Sequence, residues 1–123
     1  CVGGQAVLSL SLTARIFVYT HPTDMRKSFD GLAALVRDHL GADPLSGHLF
    51  VFRGRRGDRL KMLYWDEDGL VVWAKRLEEG TFQMPAADGA GIEIKATDLA
   101  LILGGIDLHS AKRRPRYQRP ASV

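Results

Sequence analysis

The sequence has little of what disulfide-bonded, secreted or membrane-spanning proteins need. Cys1 is the single cysteine among 123 residues, so an intramolecular disulfide is excluded, and we expect a reducing compartment, the cytoplasm. No apolar run approaches the roughly 18 residues that span a bilayer. Residues 6–12 are apolar but are interrupted by serines and follow no basic segment, so they do not predict a signal peptide.

Sequence motifs of common catalytic sites are also missing. There is no Gly-x-Ser-x-Gly elbow, and the four histidines show no zinc-site spacing. The segment 53–57, Arg-Gly-Arg-Arg-Gly, lacks the Gly-Lys-Ser/Thr ending of a phosphate-binding P-loop. We therefore expect a protein that is not an enzyme, with no catalytic residues, no metal and no cofactor.

One acidic cluster, Asp66, Glu67 and Asp68, is the only candidate for binding Mg²⁺. Two-metal phosphoryl transfer needs carboxylates that converge on ions about 4 Å apart, whereas neighbouring side chains at a hairpin tip point apart. A tight turn is therefore the favoured interpretation. A metal-dependent nuclease that uses Asp66 and Asp68 is the least favoured alternative.

The composition is that of a globular domain, with 46% hydrophobic and 25% charged residues. β-Branched and aromatic residues predict a strand over 15–19, and His21-Pro22 ends it. An apolar stripe with helical spacing predicts one long helix over 24–40. The stripe consists of Met25, Phe29, Leu32, Val36 and Leu40.

Three further strands follow with short polar turns, which predicts an antiparallel meander over 48–53, 59–65 and 70–75. The first of these is apolar at consecutive positions, so both of its faces should be covered. Short strands are expected at 81–84 and 92–95, and a short helix at 97–104. The predicted fold class is α+β, with a mixed, mainly antiparallel sheet packed against one long helix and with a short second helix.

The predicted organisation is one domain with loose ends. Residues 1–6 are expected to be disordered or left over from processing, 7–109 to form the single α+β domain, and 110–123 to form a flexible basic tail.

Positive charge is unevenly distributed, although the net charge is only +3. Ten of the 17 basic residues lie in two clusters. They are Arg53, Arg55, Arg56, Arg59 and Lys61, and then Lys112, Arg113, Arg114, Arg116 and Arg119. A solubilising hairpin tip and a solubilising tail are the simplest explanations, but such clusters are also typical of surfaces that bind polyanions.

Chain topology predicts that separate basic segments meet. A strand, a crossover helix and a second strand make the two strands parallel. The helix start, the 53–59 turn and the end of the 70–75 strand should then lie at one end of the sheet, and the acidic turn at the other. We predict that this basic end binds nucleic acid or an acidic protein surface. Its candidate residues are Arg26, Lys27, Arg53, Arg55, Arg56, Arg59, Lys75 and Arg76.

Two cations, Arg26 and Lys27, fall in the first turn of the predicted helix, where free N–H groups disfavour positive charge. This arrangement suits a bound phosphate. The alternative is that Arg26 pairs with Asp30 four residues later while Lys27 faces water.

Several ordered motifs resemble a known family. Segment 22–32 reads Pro-Thr-Asp-Met-Arg-Lys-Ser-Phe-Asp-Gly-Leu, and 47–61 reads Gly-His-Leu-Phe-Val-Phe-Arg-Gly-Arg-Arg-Gly-Asp-Arg-Leu-Lys. Leu-Tyr-Trp-Asp follows at 63–66, Lys-Arg-Leu-Glu at 75–78 and Gly-Thr-Phe at 80–82. Over roughly residues 7–109 the chain resembles the TnpB-type transposase accessory proteins of the insertion sequence 66 family, the small second-reading-frame proteins of bacterial transposons.

The resemblance implies a non-catalytic accessory protein required for DNA transposition. Its implied partners are the large transposase and other proteins of the same element. Contact with transposon DNA is our inference from charge, and no membrane contact is expected. The alternative is a protein-interaction adaptor that does not touch DNA.

Overall fold

A computed structural model describes residues 14–85 and 88–104. The expectations for residues 1–6 and 110–123 fall outside these ranges. The elements in chain order are β1 (Ile16–Tyr19), α1 (Phe29–His39), β2 (Leu49–Arg53), β3 (Arg59–Asp66), β4 (Gly69–Arg76), β5 (Gly91–Ile94) and α2 (Ala96–Gly104).

The five strands form one mixed sheet in the order β4-β3-β2-β1-β5. β1 and β2 are parallel, with Ile16 opposite Leu49, and every other neighbouring pair is antiparallel. β2, β3 and β4 form the predicted meander. The mixed α+β class is therefore confirmed.

Apolar side chains cover both faces of the sheet. On one face Phe50, Phe52 and Leu63 pack with Leu32 and Val36 of α1. On the other face lies a second cluster, which includes Val51, Met62, Phe82, Ile94 and Ile102. Successive β2 residues alternate between the two clusters and are all fully buried up to Phe52. This confirms the expectation that both faces of β2 are covered.

The prediction of one long helix over 24–40 is wrong, because α1 begins only at Phe29 and its 11 residues make it hardly longer than α2, which has 9. The N–H of Thr23 donates to the Arg53 carbonyl, and Thr23 forms a parallel bridge with Gly54. A turn follows, in which the N–H of Lys27 donates to the Asp24 carbonyl. The bridge holds Thr23 extended beside the end of β2, and the turn takes the Asp24 carbonyl that would have accepted the first helical bond, so the helix begins only after the turn.

α1 also runs across the strands rather than down them. Near its start, Lys61 of β3 donates to the carbonyl of Lys27. At its end, the His39 ring lies 6.1 Å from the ring of Tyr19 in β1, and Leu40 lies against Gly91 of β5. The loop that follows α1 therefore returns the chain to the start of β2. Which loops lie at the same end of the sheet then depends only on the directions of the strands.

The expected short strand over 81–84 is absent from the described chain. The N–H of Phe82 donates to the Gly57 carbonyl, and the Phe82 carbonyl accepts from the Arg53 guanidinium. Its ring is fully buried. This segment is therefore bonded to the β2–β3 loop instead of to a sheet edge. Neither α1 nor α2 is long and apolar enough to cross a membrane.

Candidate nucleic-acid interface

The β2–β3 loop presents two arginines at the end of the sheet. The N–H of Gly57 donates to the Gly54 carbonyl at 3.0 Å, and Gly57 has a φ of +82° that favours glycine. At Gly54, a Cβ would lie 2.6 Å from Cγ of Met25, so only glycine allows this approach. Arg55 and Arg56, between the two glycines, are exposed to solvent.

The 23–26 turn lies beside this loop and carries an ion pair. Arg26 Nη2 lies 2.8 Å from Asp24 Oδ2, and Arg26 Nε lies 3.0 Å from Asp24 Oδ1. These hydrogen bonds, together with the Arg26 backbone N–H, hold the pKa of Asp24 well below its ordinary value. The expected pairing of Arg26 with Asp30 is therefore wrong. Neither Arg26 nor Lys27 lies in a helical turn, which removes the helix-start phosphate hypothesis.

The turn and the loop enclose a cavity of about 470 Å³, called the arginine pocket here. Its charged lining consists of Asp24, Arg26, Arg55, Arg56, Asp58 and Arg59, and its remaining lining of Pro22, Thr23, Met25 and Gly54. Within the described ranges, Arg55, Arg56 and Arg59 form no ion pair. Their charge is therefore available to an outside anion.

A second cavity of about 480 Å³, the β3–β4 groove, adjoins the arginine pocket through Arg59 and Met25. Arg59 lies opposite Arg76 in the strand register, so the two cations share the face on which α1 packs. Arg76 pairs with Glu78 at 3.5 Å. The other charged residues of the groove are Lys61 and Lys75.

The strands thus place most of the predicted site residues in two adjoining cavities. Arg26, Arg55, Arg56 and Arg59 line the arginine pocket, and Arg59, Lys75 and Arg76 line the β3–β4 groove.

Two predicted site residues lie elsewhere. Arg53 is half-buried, and its Nη1 donates to the Phe82 carbonyl at 2.9 Å. Lys27 lines neither cavity; its side chain lies along Gly31, where a Cβ would be 3.1 Å from its Cβ and Cγ. The Arg53 guanidinium is thus engaged within the fold, whereas Lys27 is exposed outside both cavities.

The site prediction missed Lys61 and Thr23. Lys61 belongs to the basic cluster seen in the sequence. Its alternation with the apolar Leu60 and Met62 along the strand was the signal that could have placed it on the same face as Arg59. Thr23 is 5% exposed, lines the arginine pocket, and has no hydrogen-bond partner for its Oγ1 in the described chain. No sequence pattern distinguishes such a threonine from a helix cap.

The acidic cluster forms the β3–β4 turn, at the end of the sheet away from the arginine pocket. Glu67 has a φ of +49°, and the N–H of Asp68 donates to the Asp66 carbonyl. Over residues 14–85 and 88–104, no three His, Cys, Asp or Glu side chains converge as metal ligands would.

Comparisons with known proteins give one family model and two similar relatives. The model of the IS66 Orf2-like proteins matches residues 14–113. An uncharacterised protein of Sinorhizobium fredii, y4jC, is 40% identical over 109 residues, which cover 89% of this chain and 92% of that relative. A second one, y4hO, is 44% identical over 93 residues, covering 76% and 81%. No solved structure matches.

Fold and site together define a small α+β protein with a cationic end and with no metal cluster in its described part. The chain belongs to the IS66 Orf2-like family, which is a family of accessory proteins associated with transposition.

Proposed function

We propose that this protein is a non-catalytic accessory factor that binds DNA during transposition of its insertion sequence. One observation carries the proposal: arginines from one loop, a neighbouring turn and two strand ends line two adjoining cavities, and three of them, Arg55, Arg56 and Arg59, form no ion pair within the described ranges. Binding is to the phosphate backbone, and the chemistry of strand transfer belongs to the large transposase of the same element.

Electrostatics supports a polyanionic partner. Seven cations and three carboxylates line the two cavities together. One carboxylate, Asp24, is already held by Arg26, and the pairing of Glu78 with Arg76 is long at 3.5 Å. An excess of cations on a concave surface raises the local concentration of phosphate and releases counterions when DNA binds.

Residue type supports phosphate as the recognised group. Arg55, Arg56 and Arg59 carry planar guanidinium groups, which can donate two parallel hydrogen bonds to phosphate oxygens. Arginines that only maintain solubility have no reason to gather around one cavity.

The test is fluorescence anisotropy of labelled duplex DNA over a series of salt concentrations. We expect Arg55→Ala/Arg56→Ala to weaken binding and to reduce the slope of log K against log salt by about 1.8, or about 0.9 for each lost phosphate contact. Arg37→Ala/Lys95→Ala is the matched control, because it removes the same charge. Both control residues are exposed, and neither lines a cavity.

Equal slopes of log K against log salt for the two double variants would contradict DNA binding through the arginine pocket. The adaptor function predicts a different pattern: no DNA binding at low salt, but co-purification with the large transposase after nuclease treatment. Loss of that complex in Arg55→Ala/Arg56→Ala would assign the same cations to an acidic protein surface.

A further inference from the structure

One buried hydroxyl at the arginine pocket has no hydrogen-bond partner in the described chain. It belongs to Thr23, which lines this pocket and is 5% exposed. Buried polar groups are nearly always paired, because leaving one unpaired costs free energy. A ligand in the pocket would give this hydroxyl a partner if the side chain rotates about χ1.

The charge of the pocket suits a dianion. Four arginines and two carboxylates line it, and Arg26 is neutralised by Asp24 in a bidentate pair. When the negative charge of Asp58 is subtracted from that of one further arginine, the pocket keeps a net charge of two positive charges. A backbone phosphodiester carries one negative charge, whereas a terminal phosphate monoester carries close to two near neutral pH.

The shape of the pocket favours the same group. Arg55, Arg56 and Arg59 project from the β2–β3 loop and the start of β3, while Thr23 comes from the facing turn. Donors from two sides suit the three free oxygens of a phosphate monoester, because an internal phosphodiester offers only two. Guanidinium groups bind such oxygens in pairs.

We propose that the arginine pocket binds a phosphate monoester dianion, supplied by the 5′-terminal phosphate of a DNA strand. The DNA source rests on the proposed function. The preference for a monoester over an internal phosphate goes beyond it.

The test compares two duplexes that differ only in a 5′-phosphate or a 5′-hydroxyl, each labelled at a 3′ end. For the full chain at moderate salt, we expect the 5′-phosphorylated duplex to bind at least about tenfold more tightly, the effect of one additional charge-assisted hydrogen bond. Inorganic phosphate should remove this difference while leaving the affinity for the 5′-hydroxyl duplex nearly unchanged.

Thr23→Val tests the contribution of the pocket separately from that of the positively charged surface, because it removes a hydroxyl and changes no charge. Valine keeps the shape and the β-branch, so the urea midpoint should stay equal or rise as the unpartnered hydroxyl disappears. The preference for the 5′-phosphate should fall about threefold or more, with unchanged affinity for the 5′-hydroxyl duplex. The exposed Thr97 supplies the matched control, Thr97→Val, which should leave both affinities unchanged.

Equal binding of the two duplexes, with no effect of inorganic phosphate, would overturn the proposal and leave DNA binding intact. If neither duplex binds but inorganic phosphate raises the melting temperature of wild type more than that of Thr23→Val, the proposed function fails. The pocket then takes its phosphate from a small molecule. An undiminished preference in Thr23→Val would remove this hydroxyl from the site.

Discussion

Replacing Arg53 with alanine tests whether this arginine stabilises the fold while its neighbours have the binding role that we propose for them. Arg53 Nη1 donates to the Phe82 carbonyl at 2.9 Å, and Phe82 is fully buried beneath the sheet. The same segment is bonded to the β2–β3 loop through Phe82 N–H to Gly57 and through Leu77 N–H to Asp58. Arg53, at the end of β2, therefore adds a side-chain hydrogen bond to the backbone bonds that link the β2–β3 loop to residues 77–82.

The expected loss follows from the chemistry of that contact. A hydrogen bond from a charged donor contributes about 1.5–3 kcal/mol, and its removal leaves the Phe82 carbonyl without this partner. For a domain of about 100 residues, each kcal/mol shifts the melting temperature by about 4–8 °C. We expect Arg53→Ala to lower the melting temperature by at least about 6 °C.

Circular dichroism on heating and urea titration measure this change, and the anisotropy assay measures DNA binding in parallel. Arg55→Ala is the matched control: it should melt like wild type and bind DNA less tightly. Arg53→Ala should do the reverse, with a clear loss of stability and a small loss of affinity. An Arg53→Ala variant as stable as wild type but impaired in DNA binding would refute this division of roles.

Two further predictions concern stability. Glu67 has a φ of +49°, a conformation that is strained for any residue except glycine. Glu67→Gly should therefore raise the free energy of unfolding by about 1 kcal/mol, because the relief of strain outweighs the added flexibility of the unfolded chain. Glu67→Ala should give no gain. Urea titration of both variants tests this. Arg26 lowers the pKa of Asp24, and Arg15 that of Glu93. The folded-state pKa values lie below the unfolded ones, so this stabilisation is complete above about pH 5 and declines as the pH falls below about 4. Urea midpoints at pH 7 and pH 3 should therefore differ less in Asp24→Asn/Glu93→Gln than in wild type; an equal difference would contradict the assignment.

Strand positions could be predicted from the sequence because they depend on local patterns. Alternating residues and short polar turns located β3 and β4 to within about one residue. The start of α1 could not be predicted in this way. Met25 fits the predicted helical stripe, and although it lies before the helix its side chain packs on the face of the sheet that α1 covers. The bridge of Thr23 to Gly54 depends on a contact between distant residues, which helical periodicity does not contain.

The gathering of cations was predictable for a similar reason. Parallel β1 and β2 and the antiparallel meander fix which loops share an end, and Arg55, Arg59 and Arg76 follow from strand direction alone. The roles of individual side chains were not predictable. Arg53 is bonded to a segment that forms no strand, and Thr23 lines the arginine pocket only because the helix starts late.

The late start of α1 also accounts for the arginine pocket itself. Had the helix begun at Asp24, Arg26 would have reached toward Asp30, and no turn would face the β2–β3 loop. In the fold as it is, the Thr23 bridge fixes that turn on one side, and the 77–82 segment fixes the loop on the other. Arg55 and Arg56 are thus carried by a loop whose backbone is already held, so an anion that binds them orders side chains but little backbone. Lower ordering cost means that more of each phosphate contact appears as affinity.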